Sequence, residues 1–167
     1  MRYSTMEGLS TALTSKNLKL RETRSALDYV IALGMIGIRN KMAGAIISVH
    51  LSGNPTSFKQ ARMATIELAK RLSAKRGWNL DTKGAYHVAH VAWKMYLMPG
   101  CPSCTGRKYQ VAEGTPLLTT KPCNKCRGTG LRNYPSKYGD ETRDVVQALT
   151  DIEEVAVAAI RKKLRDR

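Results

Sequence analysis

Four cysteines, the whole complement of the chain, stand in two pairs with the spacing of metal ligands: Cys101, Cys104, Cys123 and Cys126. In a C-x2-C pair two thiolates hold one ion from a tight turn, and two such pairs complete a tetrahedral site of four sulfurs. Zinc is the ion that favours this geometry without redox chemistry. The sequence therefore predicts one structural Zn²⁺ bound by all four cysteines.

Glycines follow both cysteine pairs in the pattern C-x2-C-x-G, with Gly106 after the first pair and Gly128 and Gly130 after the second. Because glycine has no Cβ, it lets backbone N–H groups turn toward the sulfurs. Two disulfides are the competing interpretation, and they fit poorly with an N-terminus that carries no secretory signal. We therefore expect a metal-bound chain located in the cytosol.

Residues Pro122 to Cys126 match P-C-x-x-C, one half of the nucleobase deaminase signature. The other half, H-x-E, is missing, because His87 and His90 are each followed two residues later by alanine. Four thiolates also leave no open coordination position for a catalytic water. The sequence thus predicts a protein that is not an enzyme and takes no small-molecule substrate.

Basic residues outnumber acidic ones by 28 to 13, which gives a formal net charge of +15 and a sequence pI near 10.0. Such a charge predicts a polyanionic partner, nucleic acid before membrane. The excess is concentrated in residues 56–98 and 99–138, each with a net charge of +6, whereas residues 139–167 carry −1. Because no uncharged apolar run approaches the ~18 to 20 residues of a spanning helix, no membrane partner is expected.

Hydrophobic periodicity and capping residues predict four helices, at residues 24–51, 57–75, 82–98 and 140–164. Three glycines make the first of these kinked or two-part: Gly34, Gly37 and Gly44. Ser57 and Gln60 have the spacing of a capping box in the second helix, and Asp81 or Thr82 can cap the third. The last helix is amphipathic, with acidic residues early and basic residues late, as the helix dipole prefers.

The second and third predicted helices are rich in Lys and Arg and are joined by a short turn at residues 77–80. This pairing is compatible with a helix-turn-helix, and an ordinary αα-hairpin with solvated charges is the alternative. His87 and His90 lie one turn apart on the third helix, where such a pair could bind a metal. Because the thiols already offer a complete ligand set, a packing or surface role is favoured for both histidines.

Together these elements predict a mainly α fold with an inserted four-cysteine zinc hairpin. Its parts are a flexible N-terminal segment (residues 1–23), a helical domain with the helix-turn-helix-like pair (24–98), the zinc hairpin (99–138) and a C-terminal helix packed on the helical domain (139–167). Five hairpin cations flank the cysteines and predict nucleic-acid contacts, with simple solvation as the alternative: Arg107, Lys108, Lys121, Lys125 and Arg127. Glu113 alone opposes them in the hairpin, and Tyr109 could stack or pack.

The C-x2-C-x-G and C-x2-C-x-G-x-G units resemble the cysteine-rich repeats of DnaJ-type chaperones. Those proteins normally carry four such units with two zinc ions and, in the full form, a His-Pro-Asp tripeptide. This chain has two units and lacks the tripeptide. A zinc-stabilised chaperone-like module that binds unfolded protein is therefore an alternative function.

A fuller resemblance, over roughly residues 45–138, is to the lambda-type phage antitermination protein Q family. It is carried by helical residues before the cysteines and by four short motifs: Asp81-Thr82-Lys83, the alanine- and aromatic-rich Ala85 to Tyr96, Pro99-Gly100, and Cys123-Asn-Lys-Cys126-Arg-Gly128-Thr-Gly130 followed by Tyr134-Pro135-Ser136. The cysteine pattern is shared with other zinc modules. Its place behind a basic helical pair in a small basic protein makes the resemblance specific.

The resemblance implies a factor that binds double-stranded DNA at a phage late promoter and engages bacterial RNA polymerase paused with σ factor. Such a factor travels with the polymerase and lets it ignore pauses and terminators. By analogy the helix that begins near Lys83 approaches DNA, with Arg76 as a further phosphate contact, and the zinc hairpin contacts DNA or polymerase. A conventional repressor or activator, which leaves elongating polymerase unaffected, is the other alternative.

Overall fold

The computed structural model describes residues 34–35, 37, 40–52, 55–112, 114 and 117–165. Within these ranges the fold is mainly α, as predicted, with four helices and one two-stranded sheet. The helices are α1 (Lys41–Ser52), α2 (Pro55–Arg76), α3 (Thr82–Leu97) and α4 (Gly139–Arg165), and the strands are β1 (Tyr109–Val111) and β2 (Leu118–Pro122). The predicted flexible segment 1–23 and residues 24–33 of the first predicted helix lie outside the described residues. None of the described helices combines the length and apolar content needed to cross a membrane.

Asn40 separates α1 from the helical residues that precede it. Its side-chain oxygen accepts a hydrogen bond from the N–H of Ala43 at 3.0 Å, which caps α1. The described residues show the predicted two-part helix, with Gly37 helical, Asn40 outside a helix and α1 starting at Lys41. A Cβ on Gly44 would lie 2.7 Å from the Cα of Gly37, so these glycines also permit a close backbone contact between the two parts.

The second helix, α2, begins at Pro55, two residues before the predicted capping residue Ser57. Proline suits the first turn because its missing N–H has no partner there in any case. Ser57 therefore lies inside the helix, and the predicted capping box does not mark its start. Helix α2 ends at Arg76, one residue beyond the prediction.

The third helix, α3, starts at the cap that the sequence predicted in two alternative forms. The side chain of Asp81 accepts a hydrogen bond from the N–H of Gly84 at 2.6 Å, so Asp81 and not Thr82 is the capping residue. Helical periodicity predicts an apolar face of four residues in this helix, and all four are buried: Ala85, Val88, Ala92 and Met95. The connection from α2 is held by Ser73, whose hydroxyl accepts the N–H of Leu80 at 3.3 Å.

The strands β1 and β2 form an antiparallel ribbon between α3 and α4. Tyr109 pairs with Pro122 and Val111 pairs with Leu118, with an irregularity in register between the two pairs. Outside the ribbon, at the two ends of this segment, an antiparallel bridge joins Gly100 to Leu131. The N–H of the next residue, Arg132, donates to the carbonyl of Pro99 at 2.8 Å. These contacts close residues 99–132 into a hairpin.

The described chain divides into two compact units, one of them Ala69–Gln147 and the other the described residues up to Leu68 together with the end of α4 from Ala148. The division therefore runs through α2 and α4 and differs from the boundaries expected at residues 98 and 138. The unit Ala69–Gln147 contains both α3 and the hairpin, and at their junction the side chain of Arg132 donates to the carbonyl of Met98 at 3.3 Å. Helical periodicity predicts an apolar face of six residues for α4: Val145, Leu149, Ile152, Ala156, Ala159 and Leu164. Of these, Val145, Leu149 and Ala156 are buried, and Ile152 and Ala159 are half-buried. The other buried residues of α4, among those whose side chains are described, are Thr142, Val157 and Ile160.

Candidate metal centre and nucleic-acid interface

The fold brings all four predicted cysteine ligands together. Their sulfur atoms lie within 4.8 Å of one another, and the four side chains are 2 to 4% exposed: Cys101, Cys104, Cys123 and Cys126. Among the described residues, these four are the group of at least three His, Cys, Asp or Glu side chains able to hold one metal ion. The buried cluster has no charged lysine or arginine side chain in it, so a cation is the natural complement of four thiolates.

Distances between the sulfurs distinguish a metal site from disulfides. The Sγ atoms of Cys101 and Cys123 are 4.0 Å apart, and those of Cys104 and Cys126 are 3.7 Å apart. A disulfide requires about 2.05 Å. Four sulfurs placed tetrahedrally at about 2.3 Å from one ion lie about 3.8 Å from one another. The four cysteines are free thiols, and their arrangement fits a single tetrahedral ion.

Each cysteine pair ends in a turn of the same unusual backbone shape. After the first pair, Thr105 and Gly106 have φ values of 49° and 84°, and after the second pair Arg127 and Gly128 have φ values of 52° and 83°. This left-handed region is costly for residues with a Cβ, which explains the glycine in the second position of both turns. The two turns are therefore structural repeats of one another, as the C-x2-C-x-G pattern indicates.

Backbone N–H groups reach the cysteines as the glycines predicted. The N–H of Gly130 donates to the Sγ of Cys126 at 3.3 Å. The two cysteine motifs also bind each other, since the N–H of Cys101 donates to the carbonyl of Gly130 at 2.9 Å and the N–H of Cys123 donates to the carbonyl of Lys108 at 2.8 Å. The sulfurs are thus placed by main-chain hydrogen bonds as well as by the turns.

The cysteine pKa values differ because the hydrogen bonds are unevenly distributed. Burial raises the pKa of Cys104. The backbone N–H of Cys126 lowers the pKa of Cys123 from its usual value, against the effect of burial. Burial also acts to raise the pKa of Cys126, but the N–H of Gly130 and the neighbouring sulfurs outweigh it and lower this pKa to about 6. Cys123 and Cys126 are therefore better thiolate donors than Cys104.

Helix α3 presents a second feature, a continuous polar stripe opposite its buried face. Four of its exposed residues follow the spacing i, i+4, i+7 and i+11, which places them on one side of the helix: Lys83, His87, His90 and Lys94. Tyr86 is exposed beside them. Both histidines therefore have the surface role favoured above, and the ring of His87 lies 6.1 Å from that of Tyr138.

The five hairpin cations predicted to bind DNA are all exposed: Arg107, Lys108, Lys121, Lys125 and Arg127. Lys108 and Arg127 hold left-handed backbone positions in the cysteine motifs, with φ values of 73° and 52°. They lie in the same compact unit as Lys83. In that unit, residues 69–147, the sequence has 14 basic and 5 acidic residues. The hairpin and α3 thus share a strongly positive unit.

Arg76, another predicted DNA contact, forms an ion pair within the protein. Its guanidinium forms an ion pair with the carboxylate of Asp144 and lies 5.8 Å from the ring centroid of Trp78. The ion pair offsets the positive charge that a phosphate would need. Arg76 therefore contacts the first turns of α4, a pairing that no local sequence pattern indicates because the partners are 68 residues apart.

Two further exposed cations, Lys94 and Lys137, are not among the predicted DNA contacts. Lys94 completes the α3 stripe, and its spacing of 11 residues from Lys83 is a signal that helical periodicity could have revealed. Lys137 has no comparable signal. It lines a hollow of about 410 Å³ with Lys83 and His87, and its ammonium lies 4.8 Å from the ring centroid of Tyr138.

Comparison with known families gives no assignment. No protein-family model matches the chain, and no curated protein sequence matches it. The resemblance to phage antitermination proteins therefore depends on the motif residues themselves.

Proposed function

We propose that the protein is a zinc-stabilised, DNA-binding transcription antitermination factor of a bacteriophage. It binds double-stranded DNA at a late promoter and joins bacterial RNA polymerase with its σ factor. The polymerase then reads through pauses and terminators. The protein acts in the cytoplasm of the bacterial host and has a binding role without catalysis.

The metal in this proposal is one Zn²⁺ held by Cys101, Cys104, Cys123 and Cys126. Sulfur spacings near those of a tetrahedral site support the choice, since zinc is four-coordinate in structural sites with thiolate ligands. All four positions are then filled by protein, so the ion supplies cross-linking and no reactive water. Its role is to keep the basic hairpin rigid.

The stripe on α3 is the observation that carries the DNA-binding part of the proposal. From Lys83 to Lys94 it extends about 17 Å along the helix, at 1.5 Å per residue. A helix of this kind fits the major groove, where lysine and histidine can donate to bases and phosphates. The opposite face is buried in the protein, so this face is the one available to a ligand.

The helix-turn-helix interpretation assigns α3 as the recognition helix and α2 as its supporting partner. Residues 77–81 connect them, and this segment contains Gly77 and Asn79 with φ values of 68° and 47°. Two left-handed residues make a sharp change of direction possible within five residues. The hairpin cations would then bind phosphates beside the groove.

The DNA proposal is tested by removing charge from the α3 stripe and from a matched control. The double substitution Lys83→Gln and Lys94→Gln should weaken binding to a late-promoter duplex about tenfold at constant salt. The control, Lys162→Gln with Lys163→Gln, removes the same charge from two exposed residues of α4 and should change affinity less than about twofold. Equal losses in the two variants would indicate attraction by net charge and contradict a specific role for α3.

The alternative of a chaperone-like module has one supporting observation. The hairpin exposes large hydrophobic side chains, among them Tyr109, Val111 and Leu118, and such groups could bind unfolded protein. The presence of two cysteine units where DnaJ-type proteins have four weighs against it. This function predicts that the purified protein suppresses aggregation of an unfolded substrate, and that duplex DNA does not compete.

A further inference from the structure

The β1–β2 ribbon has an exposed face that is mostly apolar, with Thr120 as its polar residue. Tyr109, Val111, Leu118 and Pro122 are directly paired across the strands, and residues paired in this way lie on the same face of a sheet. All four are exposed, with Tyr109, Val111 and Leu118 at 45%, 42% and 49%. Solvent-facing sides of small sheets are ordinarily polar. We refer to these four residues as the apolar ribbon face.

Two polar residues of the ribbon, Gln110 and Thr119, alternate with this face and are hydrogen-bonded within the hairpin. Gln110 donates through its side-chain amide to the carbonyl of Pro122 at 3.1 Å and to the side-chain oxygen of Asn124 at 2.9 Å. The hydroxyl of Thr119 donates to the carbonyl of Gln110 at 3.1 Å. Both are half-buried. The ribbon therefore uses its polar side for its own folding and leaves the apolar ribbon face toward solvent.

Charge at the margins of the ribbon indicates which partner could cover this face. Lys108 immediately precedes β1, Lys121 lies in β2, and both are exposed. A second copy of the chain would bring the same cations against one another, which costs free energy. Acidic groups around an apolar centre would instead be complementary to this surface.

The chemistry of the central residues favours protein over nucleic acid. Val111 and Leu118 are aliphatic and lack a ring on which a base could stack. Contacts to nucleic acid are dominated by cations and polar groups that reach phosphates, sugars and base edges. Aliphatic and aromatic residues surrounded by charge are instead typical of the centre of a protein–protein interface.

We infer that the apolar ribbon face is a protein-docking surface, and that its partner presents an apolar patch with an acidic rim. Identifying this partner as RNA polymerase rests on the proposed function. The hairpin cations then have two different roles, one in protein contact and one in DNA contact. Lys108 and Lys121 belong to the protein contact, whereas Lys125 and Arg127, in the second cysteine turn, remain available for DNA phosphates.

The test removes the apolar character of the face without changing its charge or its strand-forming residues. The double variant Val111→Thr with Leu118→Thr places threonine, a good strand former, in each strand. Its matched control is Val155→Thr, which makes the same change at an exposed position of α4. For each protein, three quantities are measured: affinity for purified polymerase holoenzyme by fluorescence anisotropy, affinity for late-promoter duplex, and zinc content.

The double variant should bind polymerase about tenfold more weakly, with DNA affinity and zinc content unchanged, and the control should match the wild type throughout. If the double variant bound polymerase as tightly as the wild type does, the docking surface would be contradicted and the proposed function would stand. If the double variant instead lost affinity for DNA, the face would be assigned to nucleic acid. If the wild-type chain self-associated and the double variant did not, the face would be assigned to a second copy. Either result would overturn the inference. Absence of polymerase binding by the wild type would contradict the proposed function itself, and with it the identity of the partner.

Discussion

Lys108 and Gly130 occupy equivalent positions in the two cysteine motifs, each four residues after the last cysteine of its pair. Their φ values are 73° and 76°. The carbonyl of each accepts the N–H of the first cysteine of the other motif, at 2.8 Å for Lys108 and 2.9 Å for Gly130. The hairpin is therefore built from two copies of one backbone unit, and each copy helps to position the sulfurs of the other.

Replacing one sulfur should remove the metal. We predict that Cys123→Ser binds far less than one zinc per chain and has a hairpin of lower stability, because three thiolates no longer close the tetrahedral site. Ser103→Ala is the matched control, since Ser103 lies within the first C-x2-C pair and is exposed. Elemental analysis of protein purified without chelator measures the zinc. Full metal content in Cys123→Ser would contradict a four-sulfur site.

The tight space around Gly130, whose φ is 76°, gives a second prediction. A Cβ on Gly130 would lie 2.8 Å from the carbonyl oxygen of Gly106 and 3.0 Å from Cγ of Lys108. Gly130→Ala should therefore cost more than the ~1 to 2 kcal/mol of a left-handed alanine. Gly77→Ala, with φ of 68° and open space around it, should cost about that amount. Denaturant unfolding compares them, and equal losses would show that the contact at Gly130 is unimportant.

The cysteine pKa values predict how the metal-free protein titrates. Cys126 has a pKa of about 6 against an ordinary 9.0, so its thiolate contributes stability that is fully present above pH 9 and is lost as the pH falls through 6. Cys104, whose pKa is raised, should ionise above its ordinary value. Thiolate absorbance of the metal-free protein should show a first step near pH 6 that disappears in Cys126→Ser. Four thiols ionising together near pH 9 would contradict the hydrogen bond from Gly130.

Local patterns in the sequence predict the helices and the metal ligands, but they do not predict the contacts between residues far apart in the chain. Cysteine spacing and helical periodicity act over a few residues, so the four ligands, the cap at Asp81 and the buried face of α3 could be derived. The exchanged hydrogen bonds of the two motifs and the pairing of Arg76 with Asp144 join residues far apart in the chain, and no local pattern encodes them. Helix α2 also begins at Pro55 and not at the predicted capping residue Ser57, because proline is favoured in the first turn of a helix.

Salt dependence should distinguish the cations that bind phosphates from the one that is already paired. Affinity for duplex DNA should fall with a log–log slope of about −0.9 for each phosphate contact. Lys125→Gln with Arg127→Gln should make this slope shallower by roughly 1 to 2, and should weaken binding to all sequences alike. Arg76→Gln should leave the slope unchanged, since Asp144 already pairs with Arg76. A change in slope for Arg76→Gln equal to that of the hairpin variant would show that the ion pair opens on DNA.

Terminator read-through by purified polymerase distinguishes an antitermination factor from a protein that only binds the promoter. Templates carrying a phage late promoter and a downstream terminator are transcribed with and without the protein, and with the DNA recognition element intact or replaced. We predict that the wild-type protein increases read-through on the intact template. Lys83→Glu should abolish this effect at low protein concentration, and tethering the variant protein to the polymerase should restore it. Promoter binding by the wild-type protein with unchanged read-through on both templates would contradict antitermination and assign the protein to static regulation of the promoter.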